Sequence, residues 1–365
     1  MPDIFVTKPS MPTYEEYCDE IKDLWDSKWI TNSGSKYHEF EDKLKDYLNC
    51  PNISLFVNGH LALETLIKAY NFEKGSEIIT TPFTFVSTIL AITNNGLTPV
   101  FCDIDENDFT IDDSKIEELI TDKTVAILPV HVYGNIAHIK EIEEIARRHN
   151  LKVIYDAAHA FGIKYKNRSL CAYGDASILS FHATKVFNSI EGGAVITNDN
   201  DLLNRLNAMK DFGIVDEETV NYSGTNAKMN EFQSAMGICN LKYIDNNIVR
   251  RREIYDSYIS LLGNIQDIRL NVIKEDVFSN YAYFPVIFNT DHIRDKVYQV
   301  LKDNGIHARK YFYPLISDME PYKNYKGNTK IAKDISSRVL TLPIYPELTN
   351  QDIDRISRII INCLK

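Results

Sequence analysis

From residue 53 onward the chain repeats one pattern: a short run of β-branched and aromatic residues, then a longer stretch with apolar positions three and four apart. ISLFV (53–57) predicts a strand, and Leu61, Thr65, Leu66 and Ala69 share one face of the helix that follows. Residues 78–80 and 99–103 predict further strands. Ser114 and Glu117 have capping-box spacing and predict a helix carrying Ile116, Leu119 and Ile120. The unbroken apolar run VAILPVHV (125–132) predicts a strand buried on both faces. A helix over 139–148, a strand ending near Asp156, and strands over 176–181 and 193–198 complete the series. Strands alternating with helices in this way imply a mostly parallel sheet in an α/β domain.

Helices over 14–25 and 37–48 precede this repeat. After about Tyr243 the texture changes. A charged helix over 246–262 leads to an apolar strand over 281–288, a helix over 293–304, the aromatic run KYFYPL and a final helix over 350–363. The chain of 365 residues therefore divides into a large domain over 1–243 and a smaller α+β domain over 244–365.

Composition removes several function classes. A net charge of −11 argues against a general polyanion binder, so nucleic acid is not an expected partner. Arg250, Arg251 and Arg252 form the one tight basic run, read as a solvated helix face. Six scattered cysteines without a Cys-x-x-Cys pair suit neither a zinc site nor a disulfide framework, and fit a reducing compartment. No apolar run reaches the ~18 residues that span a bilayer, and the N-terminus lacks signal-peptide order. The expectation is a cytoplasmic protein with no metal and no membrane partner.

The candidate chemistry lies at the ends of the predicted strands. Lys185, in SFHATKVFN, follows a buried strand, where an ammonium is costly to desolvate. A Schiff base removes that cost and gives the lysine a chemical reason to be there. Asp156, in YDAAHA, puts a carboxylate where α/β sheets bind ligands. Such a carboxylate would hold a pyridine nitrogen protonated; its ordinary alternative is a helix N-cap. His159 is either a cofactor partner or a satisfied core histidine. Asn58-Gly59-His60 joins a strand to a helix, and backbone amides at a helix N-terminus bind phosphate without Lys or Arg. Ser180 could add a hydroxyl there, and Phe85 could stack on an aromatic ring. Taken singly, each has a bland structural reading. The ordered set of phosphate turn, aromatic, acid and lysine points to pyridoxal 5'-phosphate.

These residues resemble the DegT/DnrJ/EryC1/StrS family of sugar aminotransferases. The likeness runs from WITNSG (29–34) through TTPFTFVST, PVFCDID, ILPVHVYG, YDAAHAFG, SFHATKVFNSIEGGAVITND and GTNAKMNEFQSAMG to LPIYPELT. The resemblance implies the aspartate-aminotransferase fold (fold type I), with a mostly parallel seven-stranded sheet. It implies that Lys185 carries the cofactor, Asp156 pairs with the ring nitrogen and Phe85 stacks on the ring. Gly59, His60 and Ser180 would bind phosphate. A partner subunit of a homodimer would add Asn226, with Lys228 as a neighbouring candidate. His60 departs from the family's usual Thr or Ser, which would cost a hydroxyl but not a backbone contact. The lysine block looks most like enzymes that aminate C4 of dTDP-4-keto-6-deoxy-D-glucose with L-glutamate. Amination at C3 is the nearest alternative, and a non-catalytic cofactor-binding regulator is the alternative of another class. Tyr311 and Tyr313 are candidates to line the nucleotide-sugar pocket.

Overall fold

Seven strands form the central sheet of the computed structural model, which describes residues 2–365. In chain order they are β1 (Ile53–Phe56), β2 (Glu77–Thr80), β3 (Thr98–Phe101), β4 (Thr124–Leu128), β5 (Lys152–Asp156), β6 (Ala176–Ser180) and β7 (Gly193–Thr197). Their spatial order is β1-β7-β6-β5-β4-β2-β3, and only the two pairings made by β7 are antiparallel. Successive residues along β1, β2 and β7 are all buried, so both faces of the sheet are covered. The first six strands point the same way, which brings their C-terminal ends to one edge.

Three helices set the geometry at that edge: α1 (Ser35–Leu48), α2 (Gly59–Ala69) and α3 (Val86–Asn94). Helix α1 buries Tyr37, Phe40, Leu44 and Leu48, a stripe at helical spacing that joins the large core. Asn58 caps α2 by accepting from the Leu61 amide at 2.8 Å. Two further helices, α4 (Glu231–Leu241) and α5 (Ile244–Leu262), lead out of the large domain. The smaller sheet is antiparallel, in the order β8 (Ile268–Leu270), β9 (Phe284–Phe288), β10 (Val339–Leu342). Its core gathers Ile254, Tyr258, Phe284, Leu340 and Ile356, while Ile244 and Ile248 of the same α5 belong to the large core. Helix α5 thus joins the two cores. Ile4 packs in the second core, although its place in the chain sets it with the first domain.

Several expectations need correction. Residues 113–119 make two short 3-10 turns rather than an α-helix. The Ser114 hydroxyl donates to Asp112 at 2.6 Å, so it is not free to cap, and Asp112 accepts the Ser114 amide instead. The helix predicted over 14–25 breaks after Ile21 and resumes over Leu24–Ser27. The strand predicted over 125–132 stops at Leu128, and that over 281–288 begins only at Phe284. The run Arg250–Arg252 is not one solvated face. Neighbouring helical residues point about 100° apart, and Arg251, 2% exposed, turns inward to donate to the Ile344 carbonyl at 2.9 Å.

Lys210 is a buried amine away from the sheet's C-terminal edge. It donates to Tyr37 Oη at 2.7 Å, Ser54 Oγ at 2.9 Å and Asn207 Oδ1 at 2.8 Å, all neutral groups. Burial pushes its pKa down to about 7, against about 10.5 in an unfolded chain. Between these values the unfolded chain binds a proton that the folded chain refuses, so this group's contribution to stability improves as pH rises from about 7 to 10.5. The slope is roughly 1.4 kcal/mol per pH unit at most. Lys210→Met should flatten that rise, which denaturant titrations at pH 7, 8.5 and 10 would measure; an unchanged slope would contradict it.

Candidate active site

Loops leaving the C-terminal ends of β1, β2, β5 and β6 converge on one cavity of about 470 Å³, and Tyr283, Arg309, Tyr311 and Phe312 close its other side. Gly59, His60, Phe85, Asp156, His159, Ser180 and Lys185 all line it. Asn226 does not.

Lys185 is held by the turn that follows β6. Its amide donates to the His182 carbonyl at 2.8 Å, and Ser189 returns to the Phe181 carbonyl at 2.9 Å. Val186 and Phe187 anchor the loop in the core, with Phe187 stacked on Phe161 at 4.2 Å. The side chain is half-buried because it lines an open cavity, yet it is deep among protein atoms. Burial pushes its pKa down, and the nearby Asp156 charge only partly opposes that. Among the described residues no side chain hydrogen-bonds the amine.

Asp156 ends β5 and is 6% exposed. Its Oδ2 accepts from Thr88 Oγ1 at 2.8 Å and its Oδ1 from the Ala158 amide at 3.1 Å. Burial raises its pKa, against the lowering effects of Thr88, the Ala158 amide and Lys185. The carboxylate thus has neutral hydrogen-bond donors and lacks a bonded cation. Accepting the Ala158 amide is also what a capping aspartate does locally, but no helix begins there.

At the end of β1 the amides that open α2 have no partners within the helix. A Cβ at Gly59 would lie 2.9 Å from Ser180 Cβ, so only glycine leaves this cradle open. A Cβ at Gly193 would lie 2.6 Å from Gly59 Cα, so a second glycine lets β7 pass behind it. The His60 ring is within 2.9 Å of Ser87 Oγ and 3.3 Å of Glu64, and the residue lines the cavity in the first turn of α2. Phe85 precedes α3, is 58% exposed and lines the cavity.

His159 Nδ1 accepts the Tyr133 amide at 3.1 Å. Burial, reinforced by Lys185, holds its pKa well below the usual range, so the neutral ring carries its proton on Nε2. Tyr283 at 4.7 Å and Phe312 at 6.3 Å flank the ring. Both readings of His159 survive in part, since it is packed and also lines the cavity.

Asn226 is exposed and pairs with Asp211, and its Oδ1 accepts from Lys228 Nζ at 3.1 Å. It lies outside its own chain's cavity. Of the tyrosines proposed for the sugar pocket, Tyr311 lines the cavity and Tyr313 does not. The sequence reading missed Thr88, Tyr283, Arg309 and Phe312. Thr88 had a faint signal: with Thr84, 2.9 Å away and just before the helix, it puts two hydroxyls four residues apart ahead of the apolar run Ile89–Ile92. Tyr283 and Arg309 come from the chain beyond the central sheet and had none, whereas Phe312 lies within the aromatic run KYFYPL beside Tyr311.

A buried amine, a buried carboxylate without a bonded cation and an open helix N-terminus share one cavity. They suit an aldehyde-bearing cationic ring with a phosphate tail, the donor set of a fold type I pyridoxal-phosphate enzyme. The DegT/DnrJ/EryC1/StrS aminotransferase family model matches residues 13–361. A dTDP-4-amino-4,6-dideoxy-D-glucose transaminase of Shigella dysenteriae is 41% identical over 97% of both chains. A dTDP-3-amino-3,6-dideoxy-alpha-D-galactopyranose transaminase of Aneurinibacillus thermoaerophilus is 32% identical over 88% of both chains. The crystal structure of DesI in the presence of its TDP-sugar product superposes with a TM-score of 0.95 at 31% identity, covering 100% of this chain and 93% of that one. The chain belongs to the DegT/DnrJ/EryC1/StrS aminotransferase family. It is a sugar aminotransferase dependent on pyridoxal phosphate.

Proposed function

We propose that the protein transfers the amino group of L-glutamate to C4 of dTDP-4-keto-6-deoxy-D-glucose, giving dTDP-4-amino-4,6-dideoxyglucose. The observation that carries this reading is the Lys185–Asp156 arrangement in one cavity of a chain 41% identical to a transaminase of that name. A second copy of the chain completes the site, with Asn226 reaching the partner's phosphate cradle. Its exposed position outside its own cavity supports that role.

Pyridoxal phosphate, when bound, supplies an aldehyde that captures amines and a ring that takes up the electron pair left by a broken C–H bond. Lys185 holds the cofactor, and its Nζ accepts and returns the proton of the carbon that carries nitrogen. A lowered pKa favours the neutral amine that this transfer needs. Asp156 would pair with the ring nitrogen, whose positive charge would offset the burial that otherwise disfavours the carboxylate. Thr88 and the Ala158 amide fix its orientation. The Gly59 and His60 amides with the Ser180 hydroxyl would hold the phosphate, Phe85 would stack on the ring, and His159 Nε2 would be available to the ring's substituents. Glutamate enters first and leaves as 2-oxoglutarate; the keto sugar then takes the retained nitrogen.

A panel of dTDP-, UDP- and GDP-linked 4-keto and 3-keto sugars, incubated with glutamate and read by mass spectrometry and NMR, tests this. The expected product is the dTDP-linked 4-amine. Nitrogen at C3 would replace the reading with the 3-aminotransferase, and loss of hydroxyl without gain of nitrogen would make it a dehydratase. No conversion of glutamate by the cofactor-loaded protein would leave a non-catalytic binder.

A further inference from the structure

Arg309 is left unused by the proposed reaction among the charged groups around the reactive cavity. It is the cavity's one arginine among the described residues. Two of the cavity's three imidazoles have acidic neighbours, His60 with Glu64 at 3.3 Å and His182 with Glu191 at 3.4 Å, and the third, His159, accepts the Tyr133 amide. The Arg309 guanidinium has no carboxylate partner among the described residues; it lies over the Tyr311 ring at 4.6 Å. Lys310 next to it is already paired with Asp295. In a chain of net charge −11, an unmatched guanidinium at a cavity wall calls for an anion from outside.

The mounting of this side chain strengthens the argument. The Arg309 backbone is clamped to β10: its amide donates to the Thr341 carbonyl at 3.2 Å, and its carbonyl accepts the Thr341 amide and hydroxyl, each at 2.8 Å. The base is fixed and the head, resting on Tyr311, is exposed to the cavity. A planar fork of five N–H donors on a rigid strand is suited to paired oxyanions. Lys185, Tyr311 and Arg309 line the same cavity, so the guanidinium borders the reacting region.

Arg309 also borders a second cleft of about 360 Å³, lined by Phe5, Val6, Thr7, Tyr298, Lys302 and His307. Lys302 adds a cation there, whereas His307 faces Asp3 at 3.2 Å and is matched. The guanidinium therefore sits at the threshold between the reactive cavity and a neighbouring cleft. In a nucleotide sugar the diphosphate occupies that same middle position, between the reacting hexose and the nucleoside.

We infer that Arg309 anchors the diphosphate of the nucleotide-sugar substrate and so determines acceptance of nucleotide-linked over free sugars. This deepens the proposed reaction and rests on it for the substrate class. The test uses the cofactor-loaded enzyme with Arg309→Gln and Arg309→Lys. Calorimetry with dTDP alone reads the anchor without turnover, and the glutamate half-reaction is followed by the cofactor's absorbance. For Arg309→Gln, dTDP affinity should fall by about 10-fold or more, the size expected for losing a charge-assisted pair. The sugar-nucleotide KM should rise in step, Arg309→Lys should recover part of both, and the glutamate half-reaction should be affected several-fold less. Unchanged dTDP affinity would overturn the inference. A loss confined to glutamate would also overturn it, assigning the guanidinium to the donor's carboxylate. If dTDP binding depends on Arg309 but no 4-keto sugar is aminated, the anchor stands and the proposed reaction fails.

Discussion

Lys185→Ala should abolish amino transfer, lowering kcat by at least about a thousandfold, since in the proposed reaction one residue both holds the cofactor and moves the proton. No second group can substitute from within the site. Lys185 is the only lysine lining the cavity among the described residues, and Arg309, the other strong cation, is too poor a nucleophile and base. The loss should be chemical rather than structural. The Lys185 amine forms no hydrogen bond that folding depends on, and burial penalises its charge, so the alanine chain should melt no lower than the unmodified apoprotein. Single-turnover assays with glutamate, alongside thermal denaturation of the apoprotein, separate the two effects. Turnover within tenfold of the unmodified enzyme would contradict the role.

Asp156→Asn should be the second largest loss, about 100- to 1000-fold in kcat, comparable to removing one preorganised electrostatic partner from a water-excluded site. The substitution keeps the shape and removes the charge. Its effect should fall on the step that breaks the C–H bond, because only there does a cationic ring take up the electron pair. Cofactor affinity should fall less, since the amides of Gly59 and His60 are untouched. The sign on stability runs the other way. Burial raises the carboxyl pKa in the free protein, so an amide at 156 should leave the apoprotein as stable or slightly more so near neutral pH. A rapid-scanning measurement of the glutamate half-reaction with deuterium at the α-carbon would show the step affected. An intact half-reaction in the Asn variant would remove Asp156 from the chemistry.

Much of this was legible in the chain because its signals are local. Alternation of apolar runs with helical stripes marks the parallel sheet, and the residues just beyond the strand ends are the natural candidates for a site. Gly59, Asp156, Ser180 and Lys185 sit within five residues of strands β1, β5 and β6, so strand positions alone bring them near one another. What depends on tertiary packing was hidden. Arg251 reads as part of a charged surface until the fold lays the Ile344 carbonyl over it. Ser114 matches a capping pattern, but Asp112 takes its hydroxyl first. Arg309 is set at the cavity by a backbone clamp to Thr341 of β10, a pairing across 32 residues of chain. Asn226, exposed and outside its own chain's cavity, would act only in the proposed pairing of two copies, which the pattern along one chain does not encode.

Borohydride reduction of the cofactor-loaded protein, followed by proteolysis and mass mapping, tests the core of the account most directly. It freezes whichever amine is joined to the cofactor's carbonyl carbon. One stable adduct on the peptide containing Lys185 is the predicted result. An adduct on Lys210, on Lys228 or on any other amine, with Lys185 left unmodified, would contradict it.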